Sequence, residues 1–145
     1  MSYWRPKEMI SMKVLGLVMR GDALLAMEVP DDDGRLKGVR PPGGSIEFGE
    51  SREQALHREF QEEFGCRISI DGPWKVVENI YDHHGAAGHE YLFIAPVTLL
   101  EAGLYHQDRF DIPGEGQASW FSRKDFTDGG IALFPEVLLP ELSEG

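Results

Sequence analysis

A chain of 145 residues, 41% hydrophobic and 27% charged, can bury a core without staples and is expected to form a single domain over residues 1–145. Its net charge of −11 excludes long nucleic acid as partner, whose affinity comes from lysines and arginines neutralising phosphates, although carboxylates that hold a divalent cation could still receive a small phosphorylated ligand. No apolar run reaches the ~18 residues of a membrane span, residues 1–13 carry Arg5, Lys7 and Glu8 where a signal peptide needs an apolar core, and Cys66 has no cysteine to pair with, so the expectation is a cytoplasmic protein without a membrane partner.

In chain order, two apolar runs broken at Arg20-Gly21-Asp22 predict strands at about 12–19 and 23–29 joined by a hairpin turn. A polar loop around Asp31–Gly34 leads to a short strand near 36–40, and Pro41, Pro42, Gly43 and Gly44 are expected to stop regular structure there. Ser51 followed by Gln54 has the form of a capping box and Gly65 suits a left-handed helix end, so a helix is predicted at about 52–64. Strands follow over residues 67–83, interrupted at Asp71-Gly72-Pro73, and a long strand is expected from near Glu90, after the turn at 84–88. Residues 102–117 read as a loop, 118–121 as a short strand, and Phe134-Pro135-Glu136-Val137-Leu138-Leu139 as a short helix with proline in its first turn. The fold class is therefore mixed α+β.

At about 100° per residue, Glu59, Glu62 and Glu63 fall on one narrow face of the helix, with Leu56, Phe60 and Phe64 forming the neighbouring apolar stripe. Like charges at this spacing repel by roughly 0.2–0.5 kcal/mol per pair. A solvated acidic face tolerates that cost, and a site for a hard divalent cation offsets it.

Position by position, the stretch runs Gly44, five residues, Glu50, seven residues, Arg58-Glu59, the apolar Phe60, one residue, Glu62-Glu63, one residue, Gly65 and the apolar Cys66. This pattern resembles the Nudix box, the signature of hydrolases that cleave a nucleoside diphosphate linked to another group. Pro42-Gly43 upstream fits as well, while Phe60 and Cys66 stand where aliphatic residues are more common. The resemblance implies an α/β/α sandwich with a mixed sheet, in which the box forms a loop-helix-loop and a second helix closes the fold.

It also implies roles. Glu59, Glu62 and Glu63 match the ligands of Mg²⁺ or Mn²⁺, and Arg58 with Glu50 matches the pair that ties the box loop to its helix. Gly43 and Gly44 would let the backbone turn sharply and bring a carbonyl near the metal. The implied chemistry is attack of a metal-activated water on a phosphorus of a small-molecule nucleoside diphosphate derivative. Glu62 is one candidate base; Glu115, a few residues before Trp120, is another, with Glu90 behind it. Arg40, and beyond it Arg20, Arg35 and Lys37, are candidate phosphate contacts, and Tyr81, Phe48 and Phe93 candidate stacking residues. His83 and His84 lack a cysteine or third histidine at a fitting spacing and are read as a strand-end feature. The resemblance carries homodimerisation as a further expectation. The competing reading is a catalytically silent module of the same fold that binds a nucleotide as a sensor, although a complete ligand set favours the enzyme.

Overall fold

The computed structural model of the protein describes residues 3–139. Along the chain run β1 (Ile10–Leu17), β2 (Met19–Arg20), β3 (Ala23–Pro30), β4 (Leu36–Arg40), β5 (Gly43–Ser45) and α1 (Arg52–Phe64). After them come β6 (Ile68–Ile70), β7 (Lys75–His83), β8 (Ala86–Leu99), a 3-10 turn over Ala102–His106, β9 (Arg109–Ile112), β10 (Gly116–Ser122) and α2 (Arg123–Thr127).

Two curled sheets result. One has the order β5-β1-β8-β6 with β7 also on β8, and the other β2-β3-β10-β9 with β4 on β3. The pair β1–β8 is parallel, Ile10–Leu17 against His89–Pro96, and every other strand pair is antiparallel among the described residues. The break at Asp71-Gly72-Pro73 explains why β8 has two partners on one side: β7 takes residues 86–94 and β6 takes 97–99.

Apolar residues alternate between two cores. Val14, Leu25 and Met27 join Leu56 and Phe60 of α1, whereas Leu15, Leu24, Ala26 and Val39 join Phe126 of α2 and Leu133 and Leu138 of the C-terminal segment. Strands covered on both faces need no polar face, so the run Leu24–Met27 is apolar throughout. Helix α1 is fixed at both ends. Ser51 Oγ accepts from the Gln54 N–H (3.0 Å), Gln54 Oε1 accepts from the Ser51 N–H (2.9 Å), and Gly65 closes the helix at φ 65°. Phe60, fully buried, lies over Gly16, where a Cβ would stand 2.6 Å from its ring.

Several boundaries differ from the sequence expectation. The Pro-Gly stretch does not end regular structure, since Gly43–Ser45 pair with Lys13–Leu15 as β5. This strand needs the glycines themselves: at Gly43, φ 153°, a Cβ would land on the Val14 carbonyl. Strand β8 begins at Ala86, because His84 and Gly85, both at positive φ, form a two-residue turn that extends the β7–β8 ladder. Residues 102–117, expected as loop, contain a 3-10 turn and β9, and α2 is a helix beyond those the sequence predicts. Within the described part of the tail, residues 136–139 form a 3-10 turn in place of the expected helix.

Because Phe60 joins α1 to both β1 and β8, Phe60→Ala is expected to cost about 3–5 kcal/mol. Equilibrium denaturant unfolding at unchanged m-value measures that loss.

Candidate active site

The site is built where α1 lies against β5. Pro42 is buried and its carbonyl accepts from the Gly16 N–H (2.9 Å), which delivers Gly43 and Gly44 onto the edge of β1. The Glu59 carboxylate rests on Gly44, where a Cβ would come within 2.6 Å of Glu59 Cδ. Any side chain there would push that carboxylate off the strand.

Arg58 organises the edge of the helix. Its Nε donates to Glu50 Oε2 (2.6 Å), and its Nη2 to Glu50 Oε1 (2.9 Å) and to the Ser45 carbonyl (2.9 Å). Its Nη1 donates to Glu59 Oε1 (3.0 Å), with Glu62 at 3.4 Å. The fork-to-fork pair is the strong form of such a contact, and with the Glu47 N–H it holds the Glu50 carboxyl down at about 2.

The three helix carboxylates differ in environment. Glu62 is exposed, Glu59 half-buried, and Glu63 only 5% exposed, with no hydrogen-bond partner for either oxygen, when ionised, among the described residues. Burial pushes the Glu63 carboxyl up to about 9, the charges of Glu115 and Glu59 and a hydrogen bond to the Glu115 carboxylate that only protonated Glu63 can donate add to it, and Arg40 opposes them. Burial likewise raises Glu59, against the pull of Arg58. A buried carboxylate without partners is costly, and a divalent cation is the partner whose chemistry suits an all-oxygen set. Glu59, Glu62 and Glu63 therefore fit such an ion.

A cleft of about 960 Å³ opens beside this edge, between the sheets, and Arg40 and Glu115 line it. Arg40 makes no side-chain hydrogen bond among the described residues, so its donors are available. Glu115, in the turn before β10, acts electrostatically on both Glu63 and Glu59. Glu90 is also in the cleft, but its oxygens are taken by Lys13 (3.2 Å) and Asn79 (2.9 Å). Of the other cations, Lys37 lines the cleft; Arg20 turns to Asp108 and stacks over Trp120, and Arg35 lies in the exposed β3–β4 loop. Tyr81 lines it too. Phe93 packs beneath Arg52 and on the core, and Phe48 is wholly exposed on the box loop.

Sequence reading missed Lys13, Asn79, Trp4 and Asp32, which also line the cleft. Spacing carries no signal for them, because β1, β7, the N-terminal segment and the β3–β4 loop meet only in the fold. Asp32 supplies the third ligand that His83 and His84 lacked, all within 4.8 Å of one another. Arg5, however, donates to both Asp32 oxygens (3.0 and 2.7 Å), and Lys37 Nζ to His83 Nδ1 (2.8 Å). Arg5 and Lys37 therefore compete with a cation for Asp32 and for Nδ1 of His83. Cys66 is buried, and burial raises its thiol, so it is no nucleophile.

The NUDIX domain model matches residues 9–142, nearly the whole chain. The protein belongs to the Nudix family. Among solved structures, the Nudix chain is similar to a MutT protein from Bacillus halodurans (21% identity, covering 92% of this chain and 82% of that one, TM-score 0.62). It is also similar to a NUDIX hydrolase from Nitrosomonas europaea (21%, 94% and 89%, 0.60) and a MutT protein from Methanosarcina mazei Go1 (17%, 99% and 97%, 0.61). At these identities the likeness is one of fold: a mixed α+β architecture of curled sheets and few helices, as in Nudix hydrolases. No protein of curated function matches the sequence. Nudix hydrolases act on small nucleotide derivatives and generally use divalent metal ions. No helix among the described residues is long and apolar enough to cross a membrane.

The Glu63 carboxyl, raised to about 9 from an unfolded value near ~4.3, contributes stability in the metal-free protein that is complete below the unfolded value and is lost as pH rises toward 9. Glu63→Gln is therefore expected to melt at least a few degrees above wild type at pH 8 in chelator, with a smaller gap at pH 5. Scanning calorimetry at both pH values checks the sign.

Proposed function

We propose that this chain, as one Nudix domain, is a hydrolase of the diphosphate linkage in a nucleoside diphosphate derivative, working in the cytoplasm with Mg²⁺ or Mn²⁺. The reading is supported above all by the buried Glu63 carboxylate, whose two oxygens, when ionised, lack hydrogen-bond partners among the described residues, beside Arg40 and Glu115, which line the cleft.

In this reading Glu59, Glu62 and Glu63 hold the divalent cation, which when bound would lower the pKa of a water and neutralise phosphate oxygens. Arg40 binds the diphosphate, since a guanidinium matches phosphate geometry with two parallel donors. Gly43 and Gly44 let the backbone and the Glu59 carboxylate approach each other closely enough to share one site. Arg58 does no bond-making: it keeps Glu50, Ser45, Glu59 and Glu62 in register, so its part in catalysis is positioning. Glu62, the exposed member of the trio, and Glu115, in the turn across the cleft, are the carboxylates assigned to take the proton of the attacking water. Substrates in this class include nucleoside triphosphates, ADP-ribose and other sugar nucleotides.

A screen of nucleoside diphosphate derivatives with Mg²⁺ or Mn²⁺, read by release of phosphate or monophosphate, is expected to find a substrate. On that substrate Glu62→Gln and Glu63→Gln should fold and lose nearly all turnover, at least about 10²-fold; unchanged turnover in both variants overturns the assignment. A protein that turns over nothing with either metal, yet whose melting temperature rises with one nucleotide, is instead a binding module of the same fold.

A further inference from the structure

The cleft has two chemically different ends, and their order is set by two strands. On β7, Tyr81 stands beside Arg40, whose charge acts on its phenol, and two residues on, about 7 Å along the strand, His83 sits against Trp4. On β4 the same direction leads from Arg40 to Lys37, which donates to His83. One end thus carries Arg40 and Glu115, whose charges act on Glu63; the other carries an aromatic pair.

That second end is closed by the N-terminal segment. Arg5 clamps it: Nη1 donates to Asp32 Oδ1 (3.0 Å) and to the Trp4 carbonyl (2.8 Å), and Nη2 to Asp32 Oδ2 (2.7 Å). The clamp fixes the backbone that carries Trp4. The indole meets the His83 ring edge-on, centroids 5.2 Å apart at 69°, and is still 61% exposed, so most of its surface faces the cleft or solvent. The Lys37 ammonium can only donate, so His83 Nδ1 accepts, and burial with Lys37 nearby lowers the imidazole and keeps the ring neutral. A neutral ring holds the indole without placing a charge behind it.

We propose that Trp4 is the nucleobase-stacking residue of this cleft, held in place by Arg5 and Asp32. This rests on the nucleotide reading above. A large, wet aromatic surface on a fixed backbone loses little entropy when a base covers it, and such stacking is tolerant of base identity. Arg5 acts through Trp4 and is a positioning residue.

The probes are AMP, GMP, CMP and UMP, with ribose 5-phosphate as the control that has the sugar phosphate but no base. By titration calorimetry, Trp4→Ala should weaken the monophosphates that wild type binds about tenfold, leave ribose 5-phosphate unchanged, and raise KM rather than lower kcat on any nucleotide the protein hydrolyses. Trp4→Phe should recover most of the affinity. Arg5→Ala should reproduce the loss by freeing the segment, and nucleotide quenching of tryptophan fluorescence should vanish in Trp4→Ala although Trp74 and Trp120 remain. Unchanged monophosphate affinity in Trp4→Ala overturns this inference alone. Equal weakening of ribose 5-phosphate overturns it as well, because the effect would then be structural. Wild type that binds none of the four overturns it together with the nucleotide reading.

Discussion

The ion pair between Arg58 and Glu50 is the contact on which the rest of the site depends. Glu50 lies in the loop before α1 and Arg58 at the middle of the helix, so the two parallel hydrogen bonds join elements that backbone pairing alone leaves independent. The same guanidinium reaches the Ser45 carbonyl on β5 and the carboxylates of Glu59 and Glu62. One planar cation therefore sets the distance between strand, loop and helix. A lysine could neutralise the charge, but it could not span three directions from fixed positions.

Behind this clamp the fold accepts an electrostatic cost. Glu63 is driven into the protein on the same helix whose Leu56 and Phe60 fill the core, because all three are bound to one rigid periodicity. Rotating α1 to expose Glu63 would expose Phe60 as well. The apolar packing thus holds a carboxylate where it has no partner of its own, and stability is exchanged for a site ready to receive a positive charge. The glycines of β5 serve the same end, since only a strand without side chains lets the Glu59 carboxylate lie on its backbone.

The cleft shows the opposite mode of construction. Its lining comes from the N-terminal segment, β1, β3, the β3–β4 loop, β4, β7, β8, the turn before β10 and the tail. The roles of these side chains follow from what each of them meets. Glu90 is committed to Lys13 and Asn79, His83 to Lys37 and Trp4, and Asp32 to Arg5, whereas Arg40 makes no side-chain hydrogen bond among the described residues. Charge in this cleft is mostly spoken for, which is why one uncommitted guanidinium carries so much of its electrostatic meaning.

Local rules made α1 legible. Its capping box, its closing glycine, its apolar stripe and its acidic face all lie within two turns of the residues that specify them, and so the sequence by itself determined the helix, the class of the fold and the resemblance to the Nudix box. It also named Arg58, Glu59, Glu62, Glu63, Arg40 and Glu115 as candidates. Where the rules depended on distant partners they failed: Gly43–Ser45 became a strand because β1 offered an edge, and residues 109–112 became β9 because β10 did. The burial that separates Glu63 from Glu62, the Arg5–Asp32 clamp and the seat of Trp4 over His83 belong to tertiary structure alone. Burial and long-range pairing depend on what the chain brings from elsewhere, and no spacing along a single segment encodes that.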